Sequence, residues 1–287
     1  MRILIAGANG FLGKNIRDYF HRHDHYKVNY ITRSDLDLTD RLSLSDYCRL
    51  NKPDLLLHVA VSLNDFSNNI LMYYALEACA PYCANIIMIG SGAEYSHQRY
   101  KSLMSEDYFD PLEPPSNNNP YHTSKHLISR LHANSSISNI FNFRVFGLYG
   151  PYEDYSRRLI SNNIFNFIQT GRMAASANHS FDYLYVDDLI SAVLHFVNYS
   201  STPLFNTYNV CSGRSDSFHS ILSEVIISLG GSESSIDIPQ LASSLDYSGN
   251  NSRFQLEFSY SIPQTSYAVA ARKIKDWLLS DPSILNS

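Results

Sequence analysis

The opening stretch MRILIAGANGFLG constrains this chain more than any other segment. Residues 2–7 form a short apolar run ending in glycine, the pattern of a buried strand. A helical period follows at once in GKNIRDYFHRH. Between the two, Gly7, Gly10 and Gly13 stand at GxxGxxG spacing. After a strand and before a helix, each glycine has a physical use. Gly7 permits the tight turn, Gly10 lets the backbone approach a pyrophosphate, and Gly13 lets helix and strand pack closely. Phosphate oxygens would then face the free N–H groups of the first helical turn, at Phe11, Leu12 and Gly13.

The rest of the first half repeats the rhythm. Strands are expected at 27–32, 54–60, 85–91 and 140–146, with helical stretches between them. Strand–helix alternation implies a parallel sheet with right-handed crossovers, so the fold class is α/β, a doubly wound Rossmann sheet. After Gly150-Pro151 the rhythm changes. Residues 1–150 together with 182–212 are expected to form the dinucleotide-binding domain. Residues 151–181 and 213–287 are expected to form a smaller, discontinuous substrate-binding lobe. Within it, SGNNSRFQLEFSYSIPQ (248–264) reads as polar and irregular, and the end of the chain as an amphipathic helix.

Bulk properties exclude several classes. A chain of 287 residues, 44% hydrophobic, can bury a sizeable core. The net charge of −5 and the absence of a basic run argue against nucleic acid or an anionic membrane as partner. No apolar run spans a bilayer and no secretory leader is read at the start, so a cytoplasmic protein is expected. Of the four cysteines, Cys79 and Cys83 lie four apart, but two thiols make a poor zinc site and read better as buried helical residues. The tract HRHDH (21–25) resembles a metal tract but reads better as a solvated helix end. No metal is expected.

The second strand ends in Thr32-Arg33-Ser34. Arg33 would meet a ribose 2′-phosphate, with Ser34 or Thr32 adding a hydrogen bond, which favours NADP. The alternative is a solvated Arg33, with Asp35 or Asp37 gripping the 2′-hydroxyl of NAD.

Chemistry is carried by two further stretches. GSGAEYS (90–96) puts Ser91 at the carboxyl edge of the sheet, and NPYHTSK (119–125) places Tyr121 and Lys125 on one helix face. The three side chains can converge beside a nicotinamide. A nearby ammonium and a positive nicotinamide favour the phenolate, so the Tyr121 pKa is expected below the usual value of about 10. Tyr121 could then pass a proton to or from a sugar oxygen while hydride moves, with Ser91 bonded to the same oxygen.

A glycine motif at residue 7, a serine after the fourth strand and YxxxK, in this order, resemble the extended short-chain dehydrogenase/reductase family. The resemblance covers nearly the whole chain and includes HVA (58–60), Asn69, RVFGLYGP (144–151) and FDYLYVDDL (181–189). It implies catalytic Ser91, Tyr121 and Lys125 and a nucleoside-diphosphate sugar substrate, contacted by Ser91, Gly92, Ala93, Tyr121 and Arg158. Gly7, Gly10, Phe11, Leu12, Gly13, Arg33, Ser34, Ala60, Tyr121 and Lys125 would hold the cofactor, and a homodimer is expected. ITRSDLDLTD (31–40) looks like the GDP-fucose synthase-like 4-keto-sugar reductases of the family. Three departures matter. Phe181 and Gly147 stand where family members often carry substrate-facing arginine and asparagine, leaving Arg157, Arg158, Arg214 and Arg253 as candidate replacements. Ala93 replaces an epimerisation cysteine. Gly92-Ala93 replaces the acidic pair of dehydratases. The expected activity is therefore NADPH-dependent reduction of a nucleotide-linked 4-keto-6-deoxy sugar, as in surface-polysaccharide synthesis. An NAD-dependent 4-epimerase is the first alternative, and a non-catalytic dinucleotide-binding protein the second.

Overall fold

The computed structural model describes residues 1–23, 26–113, 119–239, 242–281 and 284. The first half alternates β1 (Arg2–Ala6), α1 (Phe11–His21), β2 (Lys27–Ile31), α2 (Arg41–Asn51), β3 (Leu55–His58), α3 (Phe66–Cys79), β4 (Asn85–Ser91), α4 (Pro120–Ala133) and β5 (Ile140–Val145). The second half comprises β6 (Gly147–Tyr149), α5 (Leu159–Thr170), β7 (Met173–Ala174), β8 (Asn178–Phe181), β9 (Tyr183–Tyr185), α6 (Val186–Val197), β10 (Thr207–Asn209), β11 (Asp216–Ser217), α7 (Phe218–Ser228), β12 (Ile236–Asp237), β13 (Ala242–Tyr247), α8 (Ser252–Phe258) and α9 (Tyr267–Ser280).

Six strands form one parallel sheet in the order β10-β5-β4-β3-β1-β2. Its two faces follow from the period of two along β1. Ile3 and Ile5 pack with Leu12, Ile16 and Phe20 of α1 and Val193 and Phe196 of α6. Leu4 and Ala6 point the other way, to Leu44 of α2, Met72 and Leu76 of α3 and Ile128 of α4. Burial on both faces explains why these strands read as continuous apolar runs. The doubly wound class expected from the sequence is the class observed.

The order reverses between β1 and β3, and ligands bind such sheets outside the carboxyl ends at this point. Here the backbones nearly touch: a Cβ on Gly7 would lie 2.6 Å from Ala60 N, and Gly7 has φ +101°. Gly13 is equally committed, because a Cβ there would lie 2.5 Å from Gly7 O. Neither position accepts a side chain.

Beyond the main sheet, β8 pairs with β11 and β13, β6 with β9, and β7 with β12. Residues 252–258, expected to be irregular, instead form α8. Phe254 and Phe258, four apart, share a helix face and are buried. Phe254 packs edge-on to Phe143 of β5 and Tyr208 of β10, so packing against the main sheet overrides the polar local composition. Cys83 also departs from expectation: it follows the short 3-10 turn Ala80–Tyr82 rather than lying in a helix, and is buried near Cys48 and Cys79. In the histidine tract, His21 closes α1 and His23 stacks on Tyr19. Residues 24 and 25 of that tract lie outside the described residues. No helix among the described residues is long and apolar enough to cross a membrane.

Replacing Phe254 with alanine should cost about 3–5 kcal/mol of stability. The urea midpoint should fall without a change of slope, and an unchanged midpoint would show that α8 is not part of the core.

Candidate active site

The strand-to-turn transition after β4 sets the position of Ser91. Its hydroxyl accepts from Ala93 N at 3.1 Å, while the Glu94 carboxylate accepts from Ser91 N at 2.9 Å, a reciprocal capping box around the turn Gly92–Glu94. Glu94 is 1% exposed. Its other oxygen accepts from Asn142 at 2.9 Å and from Arg144, both on β5. Arg144 reaches on to Ser129 of α4, to Tyr95 and to the Glu106 carbonyl. Glu94 was not anticipated; its spacing three residues after Ser91 is the signal that could have found it, while the buried ion pair behind it has none.

Tyr121 and Lys125 lie on the first turns of α4, which Asn119 caps by accepting from Tyr121 N at 2.9 Å. The fold brings Tyr121 close to Ser91, whose hydroxyl acts to lower the Tyr121 pKa. Lys125 Nζ lies 5.9 Å from the centre of the Tyr121 ring and donates to the Ile89 carbonyl at 2.7 Å. The direction of the Tyr121 pKa is a correction. Burial raises it above 10, and the Ser91 hydroxyl and the charge of Arg158 offset only part of that. Withdrawing a phenolate from water outweighs the fields acting on it here. Burial likewise lowers the Lys125 pKa, against the opposing charge of Glu94. Beneath Lys125 lies a small cavity lined by His58, Asn69, Glu94 and Asn142. Burial, then the Lys125 charge, pushes the His58 pKa down to about 3, and its Nε2 atom has no partner.

The glycine turn fits a dinucleotide. A Cβ on Gly10 would meet only Gly7 O at 3.5 Å, so this backbone is open where its neighbours are closed. Gly10 caps α1 without a side-chain hydrogen bond, and the first turn holds no acidic residue to compete with a phosphate. Phe11 is partly buried against the core below, and Leu12 lies within it. At the end of β2, Arg33 and Ser34 are exposed. The Asp35 carboxylate, also exposed, accepts through one oxygen from Thr32 N at 2.9 Å and from Thr32 Oγ1 at 2.6 Å. Asp37 is tied in the same way to Thr39.

The four candidate arginines separate clearly. Arg214 pairs with Asp216 at 2.9 Å, Arg157 with Asp154 at 3.7 Å, and Arg253 with Asp107 and the Thr207 carbonyl. Arg158, exposed at the N-cap of α5, is the one whose charge acts on Tyr121. Gly147 has a steric cause: paired with Tyr183, its Cβ would lie 2.6 Å from Asp182 O and 2.7 Å from the Tyr183 ring, leaving no room for asparagine. Phe181 packs on Phe218 and Tyr247.

Three further groups near the site were not anticipated. Tyr247, on β13, brings its hydroxyl to within 2.6 Å of where a Gly92 Cβ would stand. Tyr100 stacks obliquely on it at 4.7 Å. Glu153 is buried, accepts from Ser161 at 2.6 Å, and feels Arg158. Burial pushes its pKa up to about 8, with the Ser161 hydrogen bond and Arg158 opposing.

A dinucleotide-binding Rossmann sheet with serine, tyrosine and lysine gathered at its carboxyl edge defines the class as extended short-chain dehydrogenase/reductases. The family model described as the NAD dependent epimerase/dehydratase family matches residues 3–211, and the chain belongs to that family. It is an NAD(P)-dependent enzyme. An ADP-L-glycero-D-manno-heptose-6-epimerase from Cupriavidus pinatubonensis is 25% identical over 281 residues, covering 84% of this chain and 81% of that one. Among solved structures, a GDP-L-fucose synthetase from Naegleria fowleri bound to NADP superposes with a TM-score of 0.78 at 17% identity, covering 100% of this chain and 96% of that one. A UDP-glucuronic acid 4-epimerase from Bacillus cereus in complex with NAD gives 0.73 at 18% identity, covering 99% and 98%. At these identities the structural likeness is one of fold.

The Glu153 pKa generates a pH prediction. With a folded value of about 8 against an ordinary 4.5, the native state keeps a proton that the unfolded chain has released between those values. Stability from this group is therefore full at low pH and falls as pH rises through that window. Glu153→Gln should melt higher than wild type at pH 8, with the difference closing toward pH 4.5. Parallel melting curves across that range would contradict the assignment.

Proposed function

We propose that this enzyme uses NADPH to reduce the keto group of a nucleoside-diphosphate 4-keto-6-deoxy sugar. The observation that carries the cofactor choice is the exposed Arg33 at the end of β2, with Ser34 beside it. Thr32 occupies one oxygen of the Asp35 carboxylate, and the exposed Arg33 two residues earlier can meet a 2′-phosphate. Ser34 stands beside it, its hydroxyl 2.8 Å from Thr32 Oγ1. The likeness to a sugar-nucleotide synthetase bound to NADP supports the same reading.

The residues divide the work as follows. The N–H groups of Phe11, Leu12 and Gly13 hold the pyrophosphate, and the open backbone at Gly10 lets it approach. A bound dihydronicotinamide supplies hydride to the keto carbon. Tyr121 donates its proton to the keto oxygen, so the product is the alcohol, and Ser91 donates a hydrogen bond to the same oxygen. Burial that keeps Tyr121 protonated suits this direction of reaction, since the residue acts as an acid. Lys125 orients the site from Ile89 and provides a cation beside the phenolate that remains. Arg158 supplies positive charge for the substrate diphosphate. Ala93 is buried and its N–H is engaged with Ser91, so no proton-moving side chain stands where a carbon acid would need one. The second reading, an NAD-dependent epimerase, draws support from epimerases among the similar proteins.

The test is turnover of a panel of nucleotide-linked 4-keto-6-deoxy sugars with NADPH, followed at the nicotinamide absorbance and repeated in deuterated water. Reduction without deuterium at C3 or C5 is expected. Deuterium entering there at the rate of turnover would reveal a proton-abstracting group, with His122, beside Tyr121, and His97 the first suspects. No NADPH oxidation with any keto sugar would overturn the proposal. Tyr121→Phe should cut turnover by about 10²–10⁴ with cofactor affinity retained.

Arg33→Ala should weaken NADPH about tenfold or more and leave NADH nearly unchanged. Equal losses in fluorescence titrations of the two cofactors would return the balance to NAD.

A further inference from the structure

We infer that Tyr152 is a positioning residue for the substrate, clasping the segment that carries Arg158 to the cofactor helix α1. The inference rests on the proposed role of Arg158 toward the substrate diphosphate.

The backbone marks the residue. Tyr152 has φ +67°, a left-handed conformation that a bulky side chain adopts only at a cost. Lys52 and Ser259 share it, but as C-caps of α2 and α8, where it ends a helix. Tyr152 instead follows Gly150-Pro151, where the chain leaves β6. Strain of this kind persists only where surrounding contacts over-determine it.

Those contacts are present, and they join separate elements. Just before Tyr152, the Pro151 carbonyl accepts from Asn15 Nδ2 at 2.7 Å, and the same amide donates to the Phe11 carbonyl at 2.9 Å. The Tyr152 hydroxyl donates to Asp18 Oδ2 at 2.6 Å. The centre of its ring lies 5.6 Å from Lys14 Nζ and 5.6 Å from the ring centre of Trp277. Lys14, Asn15 and Asp18 belong to α1, and Trp277 belongs to α9. A glycine at 152 would relieve the strain and forfeit every side-chain contact.

Beyond Tyr152 the chain is fixed to α5. The Asp154 carbonyl accepts from Arg157 N at 3.2 Å and from Arg158 N at 3.1 Å. Ser161 of α5 donates to Glu153 at 2.6 Å, and Asn162 donates to the Tyr155 carbonyl at 3.0 Å. Residues 151–158 are therefore a strap, with one end on α1 and the other on α5. Arg158 is the N-cap of α5 and is exposed. Because α1 starts at the turn that receives the cofactor pyrophosphate, the strap sets the spacing between that turn and the Arg158 cation. A loosened strap would have to be ordered when the diphosphate binds, and affinity would fall accordingly.

The experiment reads the strap and the ligand separately. Backbone amide exchange across 153–158 is followed by mass spectrometry. Tyr152→Phe keeps the ring and loses the Asp18 bond. Exchange there should become about threefold to tenfold faster, with the main sheet as protected as in wild type. Calorimetry on protein loaded with NADP⁺, using the glucose esters of ADP, GDP, UDP and dTDP, should show binding weaker by a similar factor. Affinity for NADPH should not change. Asp18→Ala should reproduce both effects, and the double variant should add nothing to either. In an Arg158→Ala background the loss of sugar-nucleotide binding should vanish, because it passes through that cation. In the keto-sugar assay KM should rise with kcat little changed. Unchanged exchange overturns the clasp. Faster exchange with unaltered sugar-nucleotide binding, or a loss that persists in full without Arg158, overturns the role toward the substrate. A lower melting temperature with equal losses for cofactor and sugar nucleotide would also overturn it, in favour of a purely structural contact. Absence of binding by all four esters in wild type would remove the substrate class and the inference with it. Failure to oxidise NADPH with any keto sugar counts against the proposed reaction alone, since exchange and binding are read without turnover.

Discussion

The buried pair between Glu94 and Arg144 holds the catalytic edge of this protein together. Each is nearly inaccessible, and between them they tie the turn after β4 to β5, to α4 and to the segment around Glu106. Two charges taken out of water cost several kcal/mol each, so such a pair persists only if geometry and further hydrogen bonds satisfy both ends. Here they do. Glu94 accepts from Ser91 N and Asn142, and Arg144 donates to Ser129 and Tyr95. Loss of either partner would leave an uncompensated charge in the core, a change that typically costs about 3–5 kcal/mol. The same network presents Ser91 to Tyr121, so fold stability and site geometry depend on one interaction.

A second constraint sits at the other end of the cofactor cleft. The contact between Gly7 and Ala60 at the β1–β3 reversal leaves no space for a side chain, while Gly10 beside it is open. Close packing and open backbone within four residues give a helix N-terminus that is rigid and uncapped. Preorganised N–H groups of this kind bind an anion without first being ordered.

Around the reacting centre the second half of the chain supplies aromatic walls rather than charges. Phe146 and Phe181 both pack on Tyr247, and Arg158 is the exposed cation whose field reaches Tyr121. Low polarity around Tyr121 accounts for its raised pKa and makes each remaining hydrogen bond to it count for more. A site of this character favours a group that donates a proton and then is stabilised as an anion by a few placed donors.

The sequence by itself determined the class of fold, the nucleotide turn and the pair of stretches that meet at the sheet edge. These features are local or periodic: apolar runs at period two, helical runs between them, glycines at fixed spacing, and a tyrosine four residues before a lysine. The tertiary structure alone decided the rest. Residues 252–258 carry a polar composition and still form α8, because Phe254 finds the β5 and β10 surface. The Tyr121 pKa rises rather than falls, because desolvation depends on everything packed around the ring and not on one lysine a helical turn away. Asp107, Asp154 and Asp216 hold three of the four arginines, and Arg158 is the one whose charge acts on Tyr121. Tyr247 meets Gly92 across more than 150 residues of chain, and no spacing rule encodes that distance. Short-range pattern fixes what a segment can become, whereas burial and long-range contact fix what its side chains meet, and the chemistry of the site depends on the second.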